Sequence, residues 1–226
     1  MHWDVQSLSH YEYFVDVDRD VAILKLRTFE IMKHLEGWCS EKKASILLDY
    51  ILRIKPDRVV EIGVFGGKSL IPIALCLKEN GKGKIYGIDP WDNLASIHGM
   101  LDEANKTWWN QIDHQKIKWG LIDKIWQLGL NDQVELWQTT SADSSSIPDI
   151  DILHIDGNHS AEMSYEDVIK WVPLVKKDGL IIFNDMNWTE NGIITTKSAI
   201  EWLNSICHRL AEFTDEGEEW GIWVKK

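Results

Sequence analysis

Val59-Val60-Glu61-Ile62-Gly63-Val64-Phe65-Gly66-Gly67-Lys68-Ser69 is the stretch on which the fold turns. It is an apolar run that stops at glycines, and two later stretches follow the same plan. These are Ile152-Leu153-His154-Ile155-Asp156-Gly157-Asn158-His159 and Ile181-Ile182-Phe183-Asn184-Asp185. Apolar runs that end abruptly at glycines or acids read as parallel strands delivering a site at their carboxyl ends.

Outward from these runs, strand and helix patterns alternate. The periodicity predicts strand Arg58–Ile62, helix Lys68–Lys78, strand Lys84–Ile88, a long helical insert over about 92–129 and strand Gln133–Gln138. Strand Ile150–Ile155, helix Ala161–Val175, strand Leu180–Phe183 and helix Thr196–Ala211 follow, and then short strands Glu212–Thr214 and Trp220–Val224 around an acidic turn. Such alternation predicts an α/β fold with a doubly wound sheet, the last pair forming a hairpin that inserts one antiparallel strand. Upstream, Val21, Leu24, Leu26, Ile31, Met32 and Leu35 fit an amphipathic helix ending near Gly37. A second helix is expected from Ser40 to about Arg53.

The chain has 226 residues, 44% of them apolar, enough for one domain with an appendage. A net charge of -12 argues against a broad phosphate-neutralising surface, so nucleic acid is a poor partner and a small molecule a better one. No window approaches the roughly 18 apolar residues of a membrane span, and Met1-His2-Trp3-Asp4 lacks the basic start of a signal peptide. A cytoplasmic location without membrane association is therefore the expectation. Cys39, Cys76 and Cys207 are far apart and odd in number, which predicts buried thiols rather than disulfides or a zinc site. Of the 13 tryptophans, Trp91, Trp108, Trp109, Trp119, Trp126 and Trp137 crowd one stretch; most of the 13 are expected in packing and the rest along a cleft.

The glycine turn after Glu61 puts backbone N–H groups and a helix amino terminus at a ligand. Three readings compete for it. A dinucleotide loop needs G-x-G-x-x-G, and Phe65 stands where the second glycine belongs. A P-loop needs one more residue than Val64, Phe65 and Gly66 between its glycines. The third pattern, an acid, a glycine, an aromatic, a glycine and a serine, is met by Glu61, Gly63, Phe65, Gly67 and Ser69.

That third pattern resembles the cofactor loop of class I S-adenosylmethionine (SAM)-dependent methyltransferases, and the two later runs look like the metal and catalytic strands of the cation-dependent O-methyltransferase branch. The resemblance spans about residues 56–190. It implies a Rossmann-like, seven-stranded, mostly parallel sheet, with residues 1–55 as an amino-terminal helical cap, 56–226 as the methyltransferase domain, and a helical lid over about 91–129. Gly63 and Phe65 would lie along the methionine part of SAM, Ser69 would bond its carboxylate, and Glu61 would hold the loop and reach the ammonium. Asp89, ending the next strand, would take the ribose hydroxyls. Ser141, Ala142 and Asp143 would meet the adenine, with Asp143 accepting from its amine.

Asp156, Asn184 and Asp185 end adjacent strands. Their oxygens suit a hard divalent cation such as Mg2+, although relatives carry an acid where Asn184 stands. Asp156 would be shared between metal, catalysis and cofactor. His159, three residues beyond Asp156, occupies the place of a lysine base in catechol-type relatives; the spelling Ile155-Asp156-Gly157-Asn158-His159 is closer to the branch acting on macrolide sugars, where a histidine is the base. A lone histidine is ordinarily structural, and His154, inside its strand, is read that way. The implied activity is methyl transfer to a hydroxyl of a small molecule by a homo-oligomer associating through its amino-terminal helices. A nicotinamide-dependent oxidoreductase and a catalytically silent cofactor-binding assembly protein stay open beside it.

Overall fold

The computed structural model describes residues 18–226; the stretch 1–17, with the Met1–Asp4 start read above, lies outside the described residues. Helix α1 (Arg19–Met32) is capped by the Asp18 carboxylate, and α2 (Glu41–Ile54) by the Ser40 hydroxyl, which accepts from Lys43 N. Strand β1 (Arg58–Ile62), helix α3 (Leu70–Glu79) and strand β2 (Lys84–Asp89) come next. The insert is three helices, α4 (Asn93–Ile97), α5 (Glu103–Asn110) and α6 (His114–Gln127), each started by an Asp cap. Strands β3 (Val134–Gln138) and β4 (Ile150–Ile155), helix α7 (Ala161–Trp171), strand β5 (Val175–Phe183), the small hairpin β6 (Thr189–Glu190) and β7 (Ile193–Ile194), helix α8 (Lys197–Ile206), and strands β8 (Cys207–Asp215) and β9 (Glu218–Lys225) complete the chain.

The main sheet has seven strands in the order β3-β2-β1-β4-β5-β9-β8. The first five are parallel, and β9 runs antiparallel to both neighbours. Two apolar layers cover its faces. One joins Leu47, Leu48 and Ile51 of α2 to Val59, Ile73 and Ile85; the other joins Val60, Leu153 and Ile181 to Val168, Trp171 and Leu203. The strand order reverses direction about β1 and β4, which opens a crevice at their carboxyl ends, directly above Gly63 and Asp156.

Several expected boundaries move. The first helix stops at Met32 rather than near Gly37. Pro173 cannot continue a regular helix, so α7 ends at Trp171 and a 3-10 turn spans Val172–Leu174. The helix predicted over Thr196–Ala211 ends at Ile206, because Cys207–Ala211 pair with β9. The three cysteines are free and buried. In the tryptophan cluster Trp91 is buried and Trp108 and Trp109 line the cavity described below, but Trp119 and Trp126 are exposed, against the expectation.

Candidate functional site

Gly63 and Gly67 have positive φ, 81° and 79°, where glycine is favoured. Space demands it too: a Cβ on Gly63 would fall 2.0 Å from the Asp156 carbonyl oxygen, and one on Gly67 would meet Leu121 of the insert at 2.4 Å. The loop is held by Asp89. Its Oδ2 accepts from the N–H groups of Val64 and Phe65, both at 2.9 Å, and its Oδ1 from Trp91 N at 2.7 Å. Burial raises the Asp89 pKa against those three bonds. A carboxylate offers about four acceptor positions, so Asp89 keeps room for one more donor rather than a free pair. Ser69 also has an internal partner, its hydroxyl donating to the fully buried Glu61. The second Glu61 oxygen has no hydrogen-bond partner, and neither ring nitrogen of buried His154 has one.

This loop, Asp89 and the ends of β4 and β5 line one cavity of about 550 Å3. Phe65, Trp38, Trp108 and Trp109 form an aromatic wall, with Trp38 5.1 Å from Phe65 and Trp109 stacked on His114 at 5.8 Å. The insert is tied down over it: Asn158 Nδ2 donates to the carbonyls of Ala95, Ser96 and His98, and Trp91 Nε1 donates to Phe65 O.

At the chemistry end, ligand atoms of Asp156, His159 and Asp185 lie within 4.8 Å of one another. His159 Nε2 is 3.1 Å from Asp185 Oδ2, and Trp188 packs beside the imidazole at 5.0 Å. Burial disfavours the charged imidazole, but the Asp185 carboxylate, with Asp156 and Glu218 behind it, outweighs that and raises the His159 pKa. Asp185 is lowered in return: its burial is overcome by the charge and hydrogen bond of His159 and by Lys43.

Not every expected residue reaches the cavity. Ala142 and Asp143 are exposed and outside its lining; the Asp143 carboxylate accepts from Thr140 Oγ1 at 2.8 Å while its own N–H donates back, closing the loop on itself. Ser141 does line the cavity, donating to Asp167, whose pKa burial pushes up to about 7. Asn184 is also outside the lining. It continues the alternation of β5 on the face of Ile182, 3% exposed, with its carbonyl oxygen unpartnered. Asp185, at φ 51°, turns into the cavity instead, and His159 fills the third corner.

Two charged residues escaped the sequence. Lys43 on α2, 3% exposed, sets its Nζ 3.8 Å from Asp156 Oδ2. Glu218 on β9 lines the cavity, its pKa pushed up to about 7 by burial and by Asp185. Nothing local marks either one, since the Glu41-Lys42-Lys43 run reads as a solvated helix start and Glu218 as part of an acidic turn.

No curated protein matches the chain in sequence. Among solved structures, cofactor-bound Rv0187 from MTB superposes with a TM-score of 0.63 at 13% identity, covering 100% of this chain and 99% of that one. The O-methyltransferase from Bacillus cereus in complex with SAH gives 0.63 at 14%, covering 99% and 98%. TomG from Streptomyces achromogenes, an O-methyltransferase involved in tomaymycin synthesis in complex with SAM, gives 0.62 at 12%, covering 99% and 97%. Identities this low speak for the fold alone. The model of a methyltransferase domain matches residues 60–186, from within β1 through the insert to just past β5, and so spans the glycine loop, Asp89, Asp156, His159 and Asp185, while Trp38, Trp188 and Glu218 of the cavity lie outside it. With more than half of its length inside that match, the chain belongs to the methyltransferase-domain family.

Proposed function

We propose that the protein is a SAM-dependent O-methyltransferase acting on a hydroxyl of a small molecule of sugar or natural-product type. What carries this reading is that a single cavity joins the glycine loop and Asp89 to the Asp156, His159 and Asp185 cluster. The fit to the cofactor is good where backbone does the work: Gly63 lets the loop pack against the Asp156 backbone and line the cavity, α3 presents its amino terminus, and Phe65 and the tryptophans offer apolar faces. Gly63, Phe65, Gly67 and Ser69 would lie along the methionine part, with Glu61 bracing Ser69. Asp89 would take one ribose hydroxyl, and Ser141 would stand near the base. When bound, SAM supplies an electrophilic methyl group on its sulfonium.

His159 is the general base in this reading. Its Nε2 is held against Asp185, which leaves Nδ1 to take the acceptor's proton. Trp188 limits where the ring can tilt, and in-line displacement rewards such fixed placement. Asp156 and Asp185 would hold a divalent cation such as Mg2+, a group that lowers a hydroxyl's pKa and steadies the alkoxide. The two carboxylates offer the hard oxygens such an ion favours, their ligand atoms lying within 4.8 Å of each other. Among the described residues no helix is long and apolar enough to cross a membrane. Ile23 and Leu26, exposed on α1, support a homo-oligomer through the amino-terminal helices, which sedimentation would show.

The deciding experiment is calorimetric titration of the dialysed protein with S-adenosylhomocysteine (SAH), in EDTA and again with magnesium. Saturable micromolar binding is expected. Absence of binding in both buffers, with NADH binding instead, would replace this reading by the oxidoreductase.

A further inference from the structure

The acid cluster is approached from behind by a cation. Lys43 lies in the first turn of α2, where the helix amino terminus disfavours positive charge, and it is buried, which disfavours charge again. Only what faces it can compensate. Its Nζ stands 3.8 Å from Asp156 Oδ2, too far for a hydrogen bond, and 5.9 Å from the centre of the Trp220 ring. Burial works against the ammonium, and the acids that act on it are Asp156, Asp185 and Glu218. The ammonium thus serves the field of the whole cluster rather than one oxygen.

Its position is built, not incidental. Ser40 accepts from Lys43 N and donates to Asp215, and Lys42 Nζ donates to Thr214 O, so the first turn of α2 is fastened to the β8–β9 hairpin that carries Glu218. Lys43 reaches the acids from a second cavity, of about 580 Å3, which shares Trp38, Cys39 and Glu218 with the first. With Lys43 behind and His159 in front, Asp156 and Asp185 are already balanced without any metal. A divalent ion arriving at those two carboxylates meets a fixed positive charge across them, carried by an ammonium that is itself sealed from water.

We propose that Lys43 is a resident counter-cation of the Asp156 and Asp185 pair, competing with a divalent ion for the same carboxylates and keeping its binding weak. The proposal rests on the metal reading above, and its test measures metal binding rather than turnover. The full-length protein, dialysed against EDTA and then freed of it, is titrated with Mn2+ and the free ion followed by electron paramagnetic resonance. Lys43→Met should bind Mn2+ at least tenfold more tightly than the wild type, and Lys43→Arg, which keeps the charge, should stay within about twofold of it.

Lys43→Gln, polar and of similar reach, is run beside Lys43→Met in case the apolar side chain disturbs α2, and the same tightening is expected. Near-ultraviolet circular dichroism selects the folded variants. Equal affinities in wild type and both neutral variants would overturn the proposal, as would a complete lack of Mn2+ binding in all of them. SAH titration of the same samples keeps the two readings apart. SAH binding with unmoved metal affinity removes Lys43 alone, whereas failure of SAH to bind removes the cofactor assignment while the Mn2+ comparison still decides the role of Lys43.

Discussion

The glycine loop after β1 and the acid cluster at the ends of β4 and β5 stand side by side on one sheet edge, yet they are made of different material. The loop is backbone: its form is held by N–H groups on Asp89 and by the absence of two β-carbons. The cluster is side chain: Asp156, His159, Asp185, Glu218 and Lys43 come from β4 and its loop, β5, β9 and α2, and charge holds them. Shape and charge should therefore fail separately. A methyl group ought to ruin the first region, and a change of charge the second.

Gly63→Ala is the most severe way to break that comparison, because Gly63 lies where the two regions touch. The new Cβ would fall 2.0 Å from the Asp156 carbonyl oxygen, on a backbone with φ of 81°. Overpacking and the left-handed conformation together predict a loss of roughly 2–5 kcal/mol of stability, seen as a lowered Tm, together with loss of SAH binding. A variant that kept both would show that the loop's shape is not what the site depends on.

Charge changes should act the other way, on turnover with the fold intact. Asp156→Ala is expected to abolish methyl transfer while leaving circular dichroism close to wild type, since Asp156 is only partly buried, its side chain meets Lys43 and His154 at 3.8 and 4.0 Å, and Asp185 and Glu218 still face the Lys43 ammonium. Near-wild-type activity would refute the role given to it. His159→Ala should cost on the order of 10²–10⁴-fold in kcat, as loss of a general base does. A change under about tenfold would make His159 structural.

The same contrast explains what the sequence disclosed. Backbone devices are local, so the strands Arg58–Ile62 and Ile150–Ile155, the glycine loop and the acids at strand ends could be read from consecutive residues. Contacts between distant elements could not. Lys43 and Glu218 join the cluster only because α2 and β9 flank the sheet where they do, and their own neighbours in sequence resemble surface. Asn184 and Asp185 are adjacent letters, and which of them turns to the cavity depends on the positive φ at Asp185. Cys207–Ala211 is an edge strand with Leu210 half exposed, so it carries little alternation to separate it from the helix before it; pairing with β9 decides its form.

The mildest test turns on the proton of His159. Burial alone would lower its pKa, and the neighbouring carboxylates, Asp185 foremost, raise it above the ordinary 6.5. A base must be neutral to act, so activity should rise with pH along a limb centred on the alkaline side of 6.5. Removing the carboxylate with Asp185→Asn leaves burial less opposed, and the limb should move toward acid. Stability runs in the opposite sense. The stabilisation that comes from a raised imidazole pKa is fully present below the unfolded value and is lost as pH rises through the folded one. The wild-type Tm should thus decline over the pH range in which its activity climbs, and the decline should be flatter in Asp185→Asn. Glu218, raised to about 7 by burial and by Asp185, loses stabilisation in the same direction and shifts in the variant too, so both Tm curves are recorded on a Glu218→Gln background, where their difference isolates His159. A limb that stays in place in Asp185→Asn would move the catalytic proton to another group and leave the His159 and Asp185 pair as a structural contact.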